Sequence, residues 1–449
     1  MSENAEIYEL NRREEHTREK QGEMAEGHVL LQQQQSPAID RAAVSHLCLM
    51  NRPFHLRPSL VELCVPILSK QPDILTLLAS LPPAICSQVI SKLPLDLPLL
   101  PCSQFIHDEE YWKKRALLKW KKCDTSNHGR SWKQLFFECN LADALENFDP
   151  TLEDWSGLKE LMETSKRFVH NLEIHQLPSR IGACMIFEVL GRQLSSLKLE
   201  YGWKNAGMLY DPDKFGMKVS DCLAFSASLY FATTLTNLDL SCNHLDDDKV
   251  KILLKGMMSH PCLLRLNLCH NRVGDVGVAV ISKFLVTEKC ILTDLSLGDN
   301  YFTSQGGKDL AEALKTNTLL SCLNLGYNRK IGDEGGRAIL DGLQSNSSLQ
   351  GLSLASCGLG EESMISLGKA ISSSRSGLLY LDVSANPSIG VKAGAALQES
   401  IESGKPPLYL DLQSCGLGEE AEQMIANAII KKYDKGIRPS LLQNNIFRL

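Results

Sequence analysis

Four residues of metal-ligating type crowd one stretch of the chain: His260, Cys262, Cys269 and His270. Zinc would need their nitrogens and sulfurs to converge on one point at roughly 2.0–2.3 Å. Cys269 and His270 are neighbours on one predicted strand segment and His260 falls in the turn before it, so convergence is not expected. No C-x-x-C pair supports them. Nucleophilic and phosphate chemistry have no better footing, because the chain has no G-x-S-x-G, H-E-x-x-H, P-loop or dinucleotide fingerprint. The glycine-rich stretches Gly274–Gly277 and Gly332–Gly335 lack a following Lys-Ser/Thr. They read as tight turns into helices, where an absent Cβ relieves strain. The expectation is a protein that is not an enzyme and carries no cofactor or metal.

Recognition chemistry is better represented. Asp239, Asn267, Ser296, Asn324, Ser353, Asp382 and Asp411 recur at an almost constant step, with Arg265, Asp294, Asp299, Tyr327, Tyr380 and Tyr409 close to them in sequence. A row of short, net acidic side chains with tyrosines toward one end suits docking of a basic or helical protein segment. Charge reversal at Asp239, Asp382 and Asp411 is expected to weaken such docking without unfolding the chain. A second candidate is the basic run Lys113, Lys114, Arg115, Lys119, Lys121 and Lys122, either a solvated helix face or a contact with an acidic surface.

The elements that must position the polar row follow from self-similarity. LTNLDLSCN, LLRLNLCHN, LTDLSLGDN, LSCLNLGYN, LQGLSLASC, LLYLDVSAN and PLYLDLQSC close on Asn243, Asn271, Asn300, Asn328, Cys357, Asn386 and Cys415 in an almost even progression. This is the pattern L-x-x-L-x-L-x-x-N/C of leucine-rich repeats. Leucines two apart point inward from a short strand, so the residue between them points outward. The closing Asn or Cys sits under the turn, where its side chain satisfies backbone groups. Between these segments, Val250, Leu253, Leu254 and Met257, or Ala421, Met424, Ile425, Ala428 and Ile429, keep helical spacing. A strand and a full helix in about 29 residues resembles the ribonuclease-inhibitor class of leucine-rich repeats, a parallel-stranded horseshoe with helices outside.

Upstream the pattern decays. LSSLKLEYG keeps Leu194, Leu197 and Leu199 in register, and VHNLEIHQL is a weaker match. The longer step from Gly202 to Asn243 implies an insertion near residues 203–218, expected to project as a loop. Before the repeats, proline-broken helical patterns carry Trp112, Leu117, Trp120, Trp132, Phe136 and Phe137, the anchors of a small helical core. Residues 1–45, mixed in charge and carrying Gln32–Gln35, are expected to be disordered or ordered by a partner. The predicted organisation is a tail over 1–45, an all-helical F-box-like domain over 46–155, and an α/β leucine-rich-repeat solenoid over 156–449.

Composition agrees with this frame. The chain has 449 residues, 47 Lys and Arg against 53 Asp and Glu, and 43% hydrophobic residues. That balance favours neither nucleic acid nor an anionic membrane as partner. No stretch reaches the roughly 18 apolar residues of a membrane span, and the charged start is unlike a signal peptide. Fifteen scattered cysteines are read as reduced, buried thiols of an intracellular protein.

The stretches DEEYWKKRALLKW, NHGRSWKQLFFE, LKLEYGWKNAGM, LDDDKVKILLKGMMSHPCLLRLNLCHNRVGD and GDEGGRAI together resemble the t-complex-associated testis-expressed protein 1 family, subunit 5 of the nexin–dynein regulatory complex of motile cilia and flagella. Asn127–Lys133 and Leu245–Lys249 are the most specific parts of the match. The amino-terminal tail and the final IRPSLLQNNIFRL do not match. The resemblance implies a non-catalytic scaffold of the axonemal linker, with other complex subunits as partners and a place in the cilium or flagellum axoneme, the cytoplasm and the cytoskeleton. It also implies a role in dynein-driven beating, including that of sperm. In that setting the basic run would face tubulin of the doublet microtubules. A competing reading takes LPPAICSQVISKLPLDLPLL followed by DEEYW as an F-box, making the chain a substrate receptor of a cullin ubiquitin ligase. A leucine-rich-repeat GTPase activator is disfavoured by the basic carboxy-terminal residues Lys431, Lys432, Lys435, Arg438 and Arg448.

Overall fold

The computed structural model describes residues 59–433 apart from 72, 150–153, 180, 204–213, 259 and 374–376. The expected tail over 1–45 and most of the expected insertion near 203–218 lie outside the described residues. Helices α1 (Leu60–Leu68), α2 (Ile74–Leu77), α3 (Pro83–Lys92), α4 (Leu99–Phe105), α5 (Glu109–Lys119), α6 (Trp132–Asn147) and α7 (Trp155–Ser165) come first. Strand and helix then alternate: β1 (Asn171–Leu177), α8 (Ala183–Leu190), β2 (Ser196–Tyr201), α9 (Val219–Ser228), β3 (Asn237–Asp239), α10 (Asp247–Met257), β4 (Arg265–Asn267), α11 (Asp275–Leu285), β5 (Asp294–Ser296), α12 (Ser304–Thr316), β6 (Cys322–Asn324), α13 (Gly332–Leu343), β7 (Gly351–Ser353), α14 (Glu361–Ser372), β8 (Tyr380–Asp382), α15 (Gly390–Ser403), β9 (Tyr409–Asp411) and α16 (Glu419–Tyr433). The described residues from Val65 onward form one compact unit.

The strands make one nine-stranded parallel sheet in chain order from β1 to β9. Register is kept across repeats: Leu238 pairs with Leu266, then Leu295, Leu323, Leu352, Leu381 and Leu410. All but Leu410 of this row are wholly buried. Burying each such side chain contributes about 1.5–3 kcal/mol to the cohesion of the array. The two degenerate repeats are full members, with Leu172 on Leu197 and Ile174 on Leu199. α10 illustrates a repeat helix. Asp246 caps it by accepting from the Lys249 N–H, Asp247 and Asp248 lie in its first turn and Lys255 in its last, and its buried face is Val250, Leu253, Leu254 and Met257. In α16 the expected stripe is thinner: Ile425 is buried and Met424 exposed, because α16 is the last described helix and packs mainly against α15.

Each strand end is closed by a side chain from the next repeat. Asn271, almost fully buried, donates through Nδ2 to the carbonyls of Leu240, Leu268 and Cys269 at 3.0–3.1 Å and accepts through Oδ1 from the Asn243 and Leu245 N–H groups. Asn300, Asn328 and Asn386 repeat the arrangement. Where the residue is cysteine, Cys357 and Cys415 donate their thiols to Leu325 O and Val383 O at 3.1 Å. The residue before each closing Asn or Cys is left-handed although not glycine: Cys242, His270, Asp299, Tyr327, Ser356, Ala385 and Ser414 have φ between 52° and 66°.

The glycines divide between two roles. Gly332 (φ +62°) serves a turn, as expected. Gly277 serves a close approach instead, since a Cβ there would lie 2.6 Å from Asp247 Oδ1. That carboxylate accepts from the Gly274 N–H at 2.6 Å, Asp275 accepts from Thr303 and Gly306 N–H groups, and Asp333 accepts from those of Gly360 and Ser363. An acid from the start of one helix thus caps the start of the next.

The helical segment is joined to the sheet by α6. Glu138, 2% exposed, accepts from the His170 and Asn171 N–H groups at 2.8 and 2.7 Å and from Gln134 Nε2, and it pairs with His128. Glu146 accepts from the His175 N–H at 2.8 Å. Two carboxylates on one helix therefore satisfy the edge of β1, an edge that would otherwise invite another strand. Trp112, Phe136 and Phe137 fill the core with ring centroids 5.2–5.9 Å apart. Leu117, counted as an anchor from sequence, is instead half exposed.

Candidate protein-binding site

The polar row lies where the alternation put it. Asp239, Asn267, Ser296, Asn324, Ser353, Asp382 and Asp411 form one continuous ladder on the concave face, and Arg265, Asp294, Tyr380 and Tyr409 belong to the parallel ladder two positions earlier. Most of the first ladder has a local task. Asp239, Asn267, Asn324, Asp382 and Asp411 each accept through Oδ1 from the N–H two residues on, at 2.8–3.0 Å. These are Asx turns that end the strand. Asn267, Ser296 and Ser353 are buried, so they form a floor and not the exposed contacts the sequence reading made of them. Parallel strands about 4.8 Å apart leave little space between short side chains. Here Asn324 Nδ2 reaches Ser296 Oγ at 3.0 Å and Ser353 Oγ reaches Asp382 Oδ2 at 3.1 Å.

Accessible chemistry is concentrated at the two sides of this floor. Toward β4 and β5, Arg265 is exposed and Asp294 half-buried, and His270 Nδ1 meets Asp299 Oδ2 at 2.8 Å. The left-handed backbone at His270, Asp299 and Tyr327 turns these side chains outward, and Tyr327 is 65% exposed. Toward β8 and β9, the Tyr380 and Tyr409 rings stack at 4.6 Å with 7° between planes. Tyr409 Oη donates to Asp411 Oδ2 at 3.2 Å. Burial, together with the charges of Asp382 and Asp411 beside it, pushes the Tyr380 hydroxyl above its usual range. A stacked tyrosine pair flanked by two carboxylates, beside a floor of Gly351 and Ser353, lets a partner backbone approach the sheet and offers both a π face and negative charge to a cation.

The basic run divides. Arg115 is buried, donating to Leu97 O at 2.6 Å and to Tyr111 Oη at 3.3 Å, with its guanidinium 5.1 Å from the Phe136 ring centre. It stabilises the helical core and cannot meet a partner. Lys113 pairs with Glu110 and Lys119 with Asp143. Lys114, Lys121 and Lys122 remain exposed.

His260 and the nearby thiols do not converge. His260 Nε2 lies 2.7 Å from Ala232 O, Cys262 donates to Thr233 O, and Cys269 to Ser296 Oγ. Among the described residues, no three His, Cys, Asp or Glu side chains are grouped to hold a metal ion, and no helix is long and apolar enough to cross a membrane. Burial pushes the Cys357 and Cys415 thiols up to about 12 and 11, which keeps them protonated and poor nucleophiles.

Residues 231–248, 259–282 and 316–340 match a family model described as leucine-rich repeat. The chain is 45% identical over 191 residues to dynein regulatory complex subunit 5 of Chlamydomonas reinhardtii, covering 42% of this chain and 49% of that protein. It is 31% identical over 253 residues to the Mus musculus protein of the same name, covering 50% and 51%. The chain carries leucine-rich repeats and is similar over about half its length to proteins named dynein regulatory complex subunit 5. It spans about half the length of the curated relatives it matches. Mouse ribonuclease inhibitor, 25% identical over 253 residues and matched over 49% of this chain and 55% of its own, shares the repeat class.

The motifs by which sequence alone pointed to the subunit 5 family have structural roles in this chain. In Asn127–Lys133, His128 pairs with Glu138, Gly129 and Arg130 are left-handed, and Ser131 caps α6 while donating to Glu109. Lys133 donates to Ser103 O and Ile106 O at 2.8 and 2.9 Å. In Leu245–Lys249, Asp246 caps α10, Asp247 caps the next helix and Lys249 donates to His244 O. These residues set the joint and the pitch of the array. Sequence reasoning missed Glu138 and Glu146, which carry no period. It also missed the inter-helix caps, although Asp247 and Asp275 stand one repeat apart and Asp333 two repeats beyond.

Proposed function

We propose that the chain is a non-catalytic scaffold subunit of the axonemal nexin–dynein regulatory complex, joining other complex subunits and thereby regulating dynein-driven beating of cilia and flagella, sperm included. The observation that carries this reading is the 45% identity to a named subunit of that complex over 191 residues. The concave face supports it: an extended sheet held by a repeating hydrogen-bond ladder loses little entropy on assembly and suits protein docking. The contact residues are Arg265, Asp294, Asp299, Tyr327, Tyr380 and Tyr409, with Asp239, Asp382 and Asp411 supplying charge. Exposed Lys114, Lys121 and Lys122 are proposed to meet an acidic surface, such as tubulin. Cryo-electron tomography of axonemes from cells lacking the chain tests the role. Loss of linker density between doublets, restored on re-expression, is expected; intact linkers and normal beating would refute it.

A second reading, an F-box adaptor contact, draws on exposed apolar residues of the helical segment: Leu77, Leu100, Leu117 and Leu118. Its discriminating result is co-purification with a cullin and its adaptor.

A further inference from the structure

Every helix-to-strand connection of the array lies on one rim of the solenoid and every strand-to-helix turn on the other. The two rims differ in charge, while both expose apolar side chains, the strand-to-helix rim through Val276, Tyr301 and Tyr327. The strand-to-helix rim carries the acids of the helix first turns, Asp247, Asp275 and Asp333 among them, several already engaged in capping the next helix. The opposite rim carries Lys255, Lys283 and Lys315 in the last turns of α10, α11 and α12, with Lys289 exposed just beyond α11. The negative ends of the helix dipoles favour lysines there, yet nothing in the dipole calls for apolar side chains beside them. Large apolar residues are nevertheless exposed on this rim in consecutive repeats: Tyr230 at 82% and Phe231 at 45% after α9, Met258 at 38% after α10, Val286 at 50% after α11 and Leu319 at 50% after α12.

Single exposed apolar residues are ordinary, but a row of them along one edge marks an interaction surface. We infer that this helix-to-strand rim, from Tyr230 to Leu319, docks an acidic amphipathic helix of a partner protein, laid along the rim across four repeats. Charge complementarity sets the sign, because Lys255, Lys283, Lys289 and Lys315 alternate with the apolar contacts and outnumber the acids beside them, Glu288, Glu312, which is paired with Lys315, and Asp309, which accepts from Gln305 Nε2. The pitch favours a helix. Packed helices lie about 8–10 Å apart, and at 1.5 Å per residue a partner helix advances about five to seven residues between successive repeats. An amphipathic helix with apolar residues at heptad spacing and acids beside them meets each repeat with the same face. An extended strand would advance only about three residues per repeat. The surface is separate from the concave face, so either can fail without the other.

The test places the photo-cross-linking amino acid benzoylphenylalanine, one position at a time, at Tyr230, Met258 and Val286 in the full chain expressed in motile ciliated cells, with the exposed Asp248 and Lys251 of α10, away from this rim, as controls. The three rim positions are expected to link to one partner polypeptide at sites about five to seven residues apart in an acidic segment, with yields at least fivefold above the controls. Links at about three-residue steps, links scattered over different proteins or to tubulin, or yields equal to the controls would overturn the inference. Incorporation of each variant into axonemes at native level shows that folding is intact.

Discussion

Neutralising the concave carboxylates separates recognition from folding. Asp239, Asp382 and Asp411 each hold an N–H two residues on, at 2.8, 3.0 and 3.0 Å. Reversal to lysine would remove those acceptors and cost about 0.5–1.5 kcal/mol at each position, so it would damage the array as well as the surface. The triple change Asp239→Asn, Asp382→Asn, Asp411→Asn keeps an amide oxygen in each Asx turn. Its secondary effects are at Asp382 Oδ2, which accepts from Ser353 Oγ at 3.1 Å, and at Asp411 Oδ2, which accepts from Tyr409 Oη at 3.2 Å; at both, the hydroxyl can rotate to accept from the new amide. Total destabilisation should stay below about 1.5 kcal/mol. Loss of three half-buried charges facing a basic partner removes about 0.2–1 kcal/mol each, roughly a three- to 150-fold weakening overall. The assay titrates the purified full chain against linker subunits in axonemal salt extract, with circular dichroism and denaturant midpoints as controls. Native-like folding with binding within twofold of the unchanged chain would refute the concave face as the docking surface. Weakening that persists undiminished at high salt would refute its electrostatic origin.

Three further outcomes follow from single groups. Asn271→Ala leaves the buried Asn243 and Leu245 N–H groups without acceptors and should lower stability by about 2–6 kcal/mol in guanidinium melts, whereas Asn271→Cys should cost less, since Cys357 and Cys415 already fill this position. Glu138→Leu orphans two N–H groups at the partly solvated edge of β1 and should cost about 2–4 kcal/mol, with faster hydrogen exchange at His170 and Asn171; unchanged exchange would contradict the edge-capping account. Burial lowers the Lys133 ammonium to about 8, below the roughly 10.4 of an unfolded lysine. The unfolded chain therefore holds the extra proton between these values, and the Lys133 contribution to stability rises as pH climbs from about 8 to 10.4. The stability gap between the native chain and Lys133→Met should widen over that window, and a shrinking gap would refute the assignment.

The repeat was legible because its cause is periodic. Leucines two apart on a strand, the closing Asn or Cys and the helix stripe recur at an almost constant step, and the register of Leu238 through Leu410 follows from that step alone. The outward direction of Asp239 through Asp411 was equally plain from alternation. Their exposure was not, because it depends on Asx turns and cross-strand contacts that pack Asn267, Ser296 and Ser353 into a floor. Arg115 sits in a run of lysines that looks uniformly solvated; its burial depends on Leu97 O and the Phe136 ring, both distant in sequence with no pattern linking them. Glu138 was invisible for the same reason, since its partners His170 and Asn171 lie across the joint between helices and sheet.

The central claim is most directly tested by affinity capture of the tagged full chain from motile ciliated cells after detergent and salt extraction, with co-purifying proteins quantified by mass spectrometry. Stoichiometric recovery of nexin–dynein regulatory complex subunits, reduced by the triple aspartate change, is the predicted result. Recovery of a cullin and its adaptor in place of those subunits would contradict it.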